Sequence, residues 1–215
     1  MIVLGIDTCS DTASAALCSE EKVIAEFSFS TRNTNSEVIL PLVRDMLDRT
    51  GLTFEDVDGF AAITGPGSYT GLRIGISSVK GICFALGKKC CGVSALEALA
   101  YNIQGDGVIC ALMHARADLM YAAFFRGCER LTEDRIVSAE DLSRQIAGFG
   151  EKVICVGDCG KMTLPGNAVA ASPVHSRRSA ASMCFAAMAH GFDTPDKLMP
   201  DYLQVTKAEK DLAEK

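Results

Sequence analysis

The segment spanning residues 59–87 constrains the fold of this chain more than any other. Gly59-Phe60-Ala61-Ala62-Ile63 is a short apolar run with turn formers on both sides, which predicts a buried strand. Gly65, Pro66 and Gly67 then impose a sharp turn, because glycine reaches unusual φ angles and proline fixes its own. Ser68 suits an N-cap, and residues 69–86 read as a helix closed by Gly87. A strand, a glycine turn and a helix N-terminus in succession present backbone amides to an anion. Gly65, Gly67 and Ser68 are therefore candidate phosphate contacts, with an ordinary structural turn as the competing reading.

One side of that helix is nearly bare backbone. Gly71, Gly75, Ser78, Gly81 and Ala85 recur at spacings of three and four, while Leu72, Ile76, Val79 and Cys83 line the opposite side. Each interior glycine costs roughly 1 kcal/mol against alanine, so another backbone must come close, from the chain's own sheet or from a second subunit. A helix apolar on both sides needs two partners. Residues 34–50 predict a further amphipathic helix, kinked at Pro41 or regular only in its later turns, whose stripe is Val38, Ile39, Leu42, Val43, Met46 and Leu47. Together the two helices are expected to form a subunit interface through Val38, Ile39, Leu42, Val43 and Met46 on the first. The second would contribute Gly71, Leu72, Gly75, Ser78, Val79 and Ile82. Core packing is the alternative for the same residues.

The remaining elements fall on either side of this unit. Residues 2–6, 12–18 and 22–30 read as three sequential antiparallel strands, with Asp7, Thr8 and Cys9 at the first turn, where they could face a phosphate. A strand over 88–93 leads to a helix capped by Ser94 and running to 103. Gln104-Gly105-Asp106-Gly107 reads as a linker, dividing the chain into lobes 1–104 and 105–215. The second lobe predicts strands at 108–113, 119–126 and 131–137, a helix from Ser138 to 147, and a strand at 153–156 before Gly157-Asp158-Cys159-Gly160. A helix over 178–190 and a polar tail over 195–215, with helical character that would pack back on the first lobe, complete it.

Composition excludes several classes. No apolar run reaches the length of a membrane span, and Met1 leads straight into a strand-like segment without a basic leader, so a soluble cytoplasmic protein is expected. The 10 cysteines are scattered through apolar runs without a C-x-x-C, which predicts buried, reduced thiols. A net charge of −6 argues against a broad basic face for nucleic acid. His114, His175 and His190 lack metal-ligand spacing, and neither a G-x-S-x-G elbow nor a Walker A pattern occurs.

Gly5-Ile6-Asp7-Thr8, the segment from Ser36 to Pro41, the run from Gly65 to Gly75 and Gly92-Val93-Ser94-Ala95-Leu96-Glu97 together resemble the TsaB (YeaZ) family. The resemblance fades in the second half, leaving mainly Pro200-Asp201-Tyr202-Leu203. It implies an α/β fold of the actin/sugar-kinase/Hsp70-like (ASKHA) superfamily, with two related lobes of mixed sheets flanked by helices. It also implies a non-catalytic scaffold in the synthesis of threonylcarbamoyladenosine beside the anticodon of tRNA. The implied partners are a TsaD-like catalytic subunit, a TsaE-like ATPase and, when the chain is alone, a second copy; tRNA would be reached only through the complex. No cofactor is expected beyond weak ATP or ADP binding, mainly in that complex. The catalytic paralogue holds its metal with an H-x-x-x-H motif, and the matching positions here are Ala95 and Leu99, which cannot bind a metal. An active phosphotransferase or a glycoprotease-like peptidase is the alternative. The absent histidines count against the peptidase and the thin second lobe against the kinase.

Overall fold

The computed structural model describes residues 1–10, 12–30 and 35–203. Strands β1 (Ile2–Asp7), β2 (Thr12–Ser19) and β3 (Val23–Ser30) form an antiparallel meander. The chain then crosses through α1 (Asn35–Thr50) to β4 (Gly59–Gly65) and through α2 (Tyr69–Leu86) to β5 (Lys89–Ser94), giving a five-stranded sheet of order β3-β2-β1-β4-β5. β1, β4 and β5 run parallel, as crossover helices require. The turn chemistry acts as its residue types predict. Ser68 caps α2 by accepting the Gly71 N–H at 3.3 Å, and Gly87 closes it in the left-handed region at φ 64°.

A second sheet repeats the plan. After α3 (Ala95–Ala100), strands β6 (Val108–Arg116) and β7 (Leu119–Arg126) form a hairpin; β8 (Glu129–Arg130) and β9 (Arg135–Ser138) both pair with β7. Helix α4 (Ala139–Ala147) crosses to β10 (Val153–Gly157), parallel to β6, and β11 (Ala168–Ala170) extends the edge. Here β6, β7, β9, β10 and β11 take the places of β1, β2, β3, β4 and β5. The copy is reduced, because the counterpart of α2, between β10 and β11, is a single 3-10 turn at Cys159–Lys161. The strand expected over 131–137 is broken where Thr132 Oγ1 accepts the Phe124 N–H.

Helices and sheets alternate in layers. α1 and α2 cover one face of the first sheet, sharing a core with Leu4, Ile6, Leu17 and Phe60. α5 (Ala180–His190) covers its other face, with Met183 and Cys184 against Val3, Ala16 and Ala61. α3 then packs Leu96, Leu99 and Ala100 on the second sheet, whose far side is closed by Leu142 and Ile146 of α4.

This packing corrects the expected interface. Ile39, Val43 and Met46 are fully buried and Leu42 is 9% exposed, all inside the core of α1, α2 and the first sheet. Burying each such side chain contributes roughly 1.5–3 kcal/mol, so the stripe is used up within the protomer. Leu72 and Val79 are buried as well. Gly71 and Gly75 are small because β1 ends on top of them. A Cβ at position 71 would lie 2.1 Å from the Thr8 carbonyl oxygen, and one at position 75 would lie 2.8 Å from Thr8 Oγ1. Val38, Ser78 and Ile82 remain half-exposed at the margin of this layer. Pro41 is exposed and α1 stays helical through it.

The chain's return also differs from the expected division at residue 104. Residues 180–203 follow the second sheet in sequence yet pack on the first. Beyond α5, Asp193 and Cys90 exchange backbone hydrogen bonds at 2.9 Å, Leu198 enters the α1–α2 core, and the Asp201 N–H donates to the Thr64 carbonyl at 2.8 Å. Tyr202 stacks on Tyr69 at 4.5 Å and accepts from Arg73 Nε at 3.0 Å. Helical character expected beyond Leu203 lies outside the described residues.

All 10 cysteines carry free thiols, eight of them buried, with Cys159 half-buried and Cys128 exposed. Burial is the main force that raises Cys91 and Cys159, each to about 11. Because the thiolate is the reactive form, brief alkylation of the native protein should label Cys128 first and the eight buried thiols only on unfolding. Peptide mass spectrometry of labelled protein checks this; rapid labelling of Cys91 or Cys184 would contradict the packing.

Candidate functional site

A cleft of about 600 Å³ opens between the lobes at the ends of β1, β2 and β10. Its innermost charge is Asp7, only 3% exposed. One carboxylate oxygen, Oδ1, accepts the Cys9 N–H at 2.8 Å, a local turn that aspartate favours at a strand end. The other, Oδ2, lies 3.6 Å from Nε of Arg178. A carboxylate this deeply buried requires a cation, and the guanidinium provides it. Arg178 also donates to Cys9 Sγ at 3.0 Å. Burial above all, then the charge of Asp7, pushes the Cys9 thiol well above the usual range against the opposing pull of Arg178. The thiol is therefore protonated at neutral pH and is no nucleophile.

Strand register extends this point into a polar row. Asp7 faces Ser14 on β2, and Ser14 faces Ser28 on β3. Directly opposed residues share a sheet face, so all three line the cleft. The opposite wall is built from Met113, His114, Tyr121, Gly157 and Asp158 of the second lobe. Asp158 Oδ2 accepts the His114 N–H at 2.8 Å, which fixes that carboxylate to the end of β6. Arg177 and Arg178 enter from the segment ahead of α5, where Asn102 Nδ2 donates to the carbonyls of His175 and Arg177, each at 2.6 Å.

Of the six residues expected to contact a phosphate, Asp7, Cys9, Gly67 and Ser68 line the cleft. The Ser68 N–H is committed to the Cys9 carbonyl at 2.9 Å, which removes one of the expected anion donors. Thr8 and Gly65 stand behind the site. Thr8, 1% exposed, donates from Oγ1 to the Gly71 carbonyl at 2.6 Å and so docks α2 on β1, while Gly65 is covered by the Asp201 carbonyl. Arg177, Arg178, Ser14 and Ser28 escaped the sequence reading. The register of the meander could have pointed to the serines once Asp7 was placed; nothing in the local sequence links Arg178 to Cys9, 169 residues away.

The residues do not fit a divalent cation. Asp7 already has a guanidinium partner, Ala95 and Leu99 are buried and carry no donor, and the described residues contain no group of three or more acidic, histidine or cysteine ligands. Glu97, between those two positions, is instead part of a structural network. It is 5% exposed, lies 2.7 Å from His190 Nε2 and 3.4 Å from Arg130 NH2, and Arg130 in turn pairs with Asp134. This network ties α3 and α5 to the second sheet.

Residues 22–163 match the family described as TsaD, tRNA N6-adenosine threonylcarbamoyltransferase. The chain is 34% identical over 127 residues to the tRNA threonylcarbamoyladenosine biosynthesis protein TsaB of Bacillus subtilis, and 33% identical over 129 residues to that of Escherichia coli. Each match covers 59% of this chain. The solved structure of YeaZ from Pseudomonas aeruginosa superposes with a TM-score of 0.79 at 26% identity, covering 94% of this chain and 99% of that one. The chain belongs to the TsaB/YeaZ family. Its fold is accordingly the actin/sugar-kinase/Hsp70-like one, with two mixed sheets flanked by helices. The match spans 56% and 55% of the two curated TsaB relatives, about half their length. No helix among the described residues is long and apolar enough to cross a membrane.

Proposed function

We propose that this chain is a non-catalytic subunit in tRNA threonylcarbamoyladenosine synthesis, pairing in the cytoplasm with a TsaD-type catalytic subunit through the outer face of α1 and α2. The observation that carries the reading is Gly81. It lies inside α2, is exposed, and has nothing within 4 Å of where its Cβ would be. Unlike Gly71 and Gly75, it is not explained by the protomer's own packing, although it costs the helix about 1 kcal/mol. Beside it on the helix surface are Phe84, 57% exposed, and Ala85; on α1, Leu40 is 46% exposed. A glycine flanked by exposed apolar residues suits a helix of another subunit approaching at short range.

The inactive half of the reading rests on chemistry. Ala95 and Leu99 provide no Lewis acid to polarise a carbonyl, and the Cys9 thiol is protonated. A phosphotransferase reading is weaker, because the second lobe lacks a helix at the place of α2 and Asp7 is already engaged. The same outer face would hold a homodimer when the chain is alone, and the TsaE-type ATPase and tRNA would join through the complex. Reconstitution tests this. The purified chain should form no threonylcarbamoyladenosine on tRNA, and adding it to a TsaD-type subunit should raise that subunit's activity. Turnover by the chain alone, or no effect on the catalytic subunit, would refute the proposal.

A further inference from the structure

The geometry points to a peroxide-reactive dithiol formed by Cys90 and Cys83, where the edge strand β5, the last turn of α2 and the returning segment 191–199 meet. Gly87 turns the chain back sharply, in the left-handed region. The Lys88 N–H therefore donates to the Cys83 carbonyl at 3.0 Å, and the Cys83 thiol donates to the Lys89 carbonyl at 3.7 Å. Cys83 thus lies beside the first residues of β5, and its thiol hydrogen-bonds to that of Cys90. The vicinal Cys91 is no partner for Cys90, because successive strand residues point to opposite faces. Cys90 joins the core of α1 and α2, and Cys91 the side covered by α5.

Two features separate this pair from thiols that are only buried. First, a cavity of about 260 Å³ is lined by Cys90 together with Thr64, Asp193, Lys197 and Met199, the last three of them exposed. A water molecule takes up about 30 Å³, so hydrogen peroxide fits there, while a residue 2% exposed stays closed to bulkier alkylating agents. Second, Lys80, one turn before Cys83, donates to the Leu198 carbonyl at 3.2 Å and brings a cation close to Cys90. The Cys83 hydrogen bond, and then the Lys80 charge, hold the Cys90 thiol below its usual range against burial; the same hydrogen bond pushes Cys83 up. Cys90 is accordingly the attacking sulfur and Cys83 the resolving one. The Cys90 thiolate takes one peroxide oxygen as the O–O bond breaks, giving a sulfenic acid and a hydroxide that takes up the proton Cys90 had lost. The Cys83 sulfur then displaces the sulfenic hydroxyl, which leaves as water with the Cys83 proton. Two thiols are oxidised to one disulfide, and one peroxide is reduced to two waters.

The test treats the reduced, folded chain with hydrogen peroxide, then unfolds, alkylates and digests it for mass spectrometry. Cys83 and Cys90 should be found joined. Cys110 and Cys155 are the internal control, being paired neighbours on β6 and β10 and fully buried. Their thiols should be lost at least about tenfold more slowly than those of Cys83 and Cys90. In Cys83→Ala, Cys90 should stop at the sulfenic acid, captured by dimedone on unfolding; in Cys90→Ala, Cys83 should remain a thiol. The wild-type measurement decides the matter even where a variant fails to fold. Free Cys83 and Cys90 after the exposed Cys128 has been oxidised, a Cys110–Cys155 bridge formed as fast, or oxidation of Cys83 in folded Cys90→Ala would overturn the inference.

Discussion

Gly71→Ala should destabilise the protein by about 1–3 kcal/mol, toward the upper end, whereas Gly81→Ala in the same helix should stabilise it by up to about 1 kcal/mol. The difference is set by what each new methyl group meets. At position 71 the Cβ would lie 2.1 Å from a backbone oxygen, that of Thr8, and 2.9 Å from Cys9 Cα. Neither can rotate away, and Thr8 is also bound to Gly71 through its hydroxyl. Relief requires α2 to lift from the end of β1, loosening the core that Ile76 and Val79 share with the first sheet. At position 81 the methyl enters open space and removes the backbone entropy of an interior glycine. Urea denaturation reads both, as opposite shifts of the midpoint at unchanged slope. A stable Gly71→Ala protein would mean that α2 does not sit on β1 as described.

That contrast also marks the limit of what the sequence discloses. The strand–turn–helix unit was legible, because Gly65, Ser68 and Gly87 each have a local conformational role and the caps at Ser68, Ser94 and Ser138 form as their residue types predict. The meaning of the glycine stripe was not. Glycine permits close approach by any backbone, and only the fold shows that β1 fills the space at positions 71 and 75 and nothing fills it at 81. Periodicity likewise identified an apolar stripe on α1, but not that it belongs to the protomer's own core. The sequence pattern places Arg178 as the first residue of a helix. Ser179 caps α5 instead by accepting the Ser182 N–H at 3.2 Å, which leaves Arg178 one position outside, turned toward Asp7. The Asp7 partner was thus hidden by a cap shift of two residues and by a long-range contact.

Gly81→Arg should leave the fold intact and weaken pairing with a TsaD-type subunit roughly a hundredfold or more. The protomer has room for the side chain, since position 81 is exposed and open, and arginine has a far better helix propensity than glycine. A second helix brought against that position would meet a long charged group in place of bare backbone. Overpacking a tight contact costs about 1–3 kcal/mol, and burying an unpaired guanidinium adds desolvation. Gly75→Leu cannot serve for this test. Its side chain would strike Thr8 Oγ1 and disturb the first sheet, so lost pairing would not distinguish an interface from a damaged core. Phe84→Ser provides an independent change on the same surface, removing a ring that is 57% exposed and contributes little to the protomer's own packing. Analytical ultracentrifugation of each variant with the catalytic subunit, alongside its thermal midpoint, separates pairing from folding. If a folded Gly81→Arg protein pairs as wild type does, the outer face of α2 is not the contact, and the glycine there has no structural account.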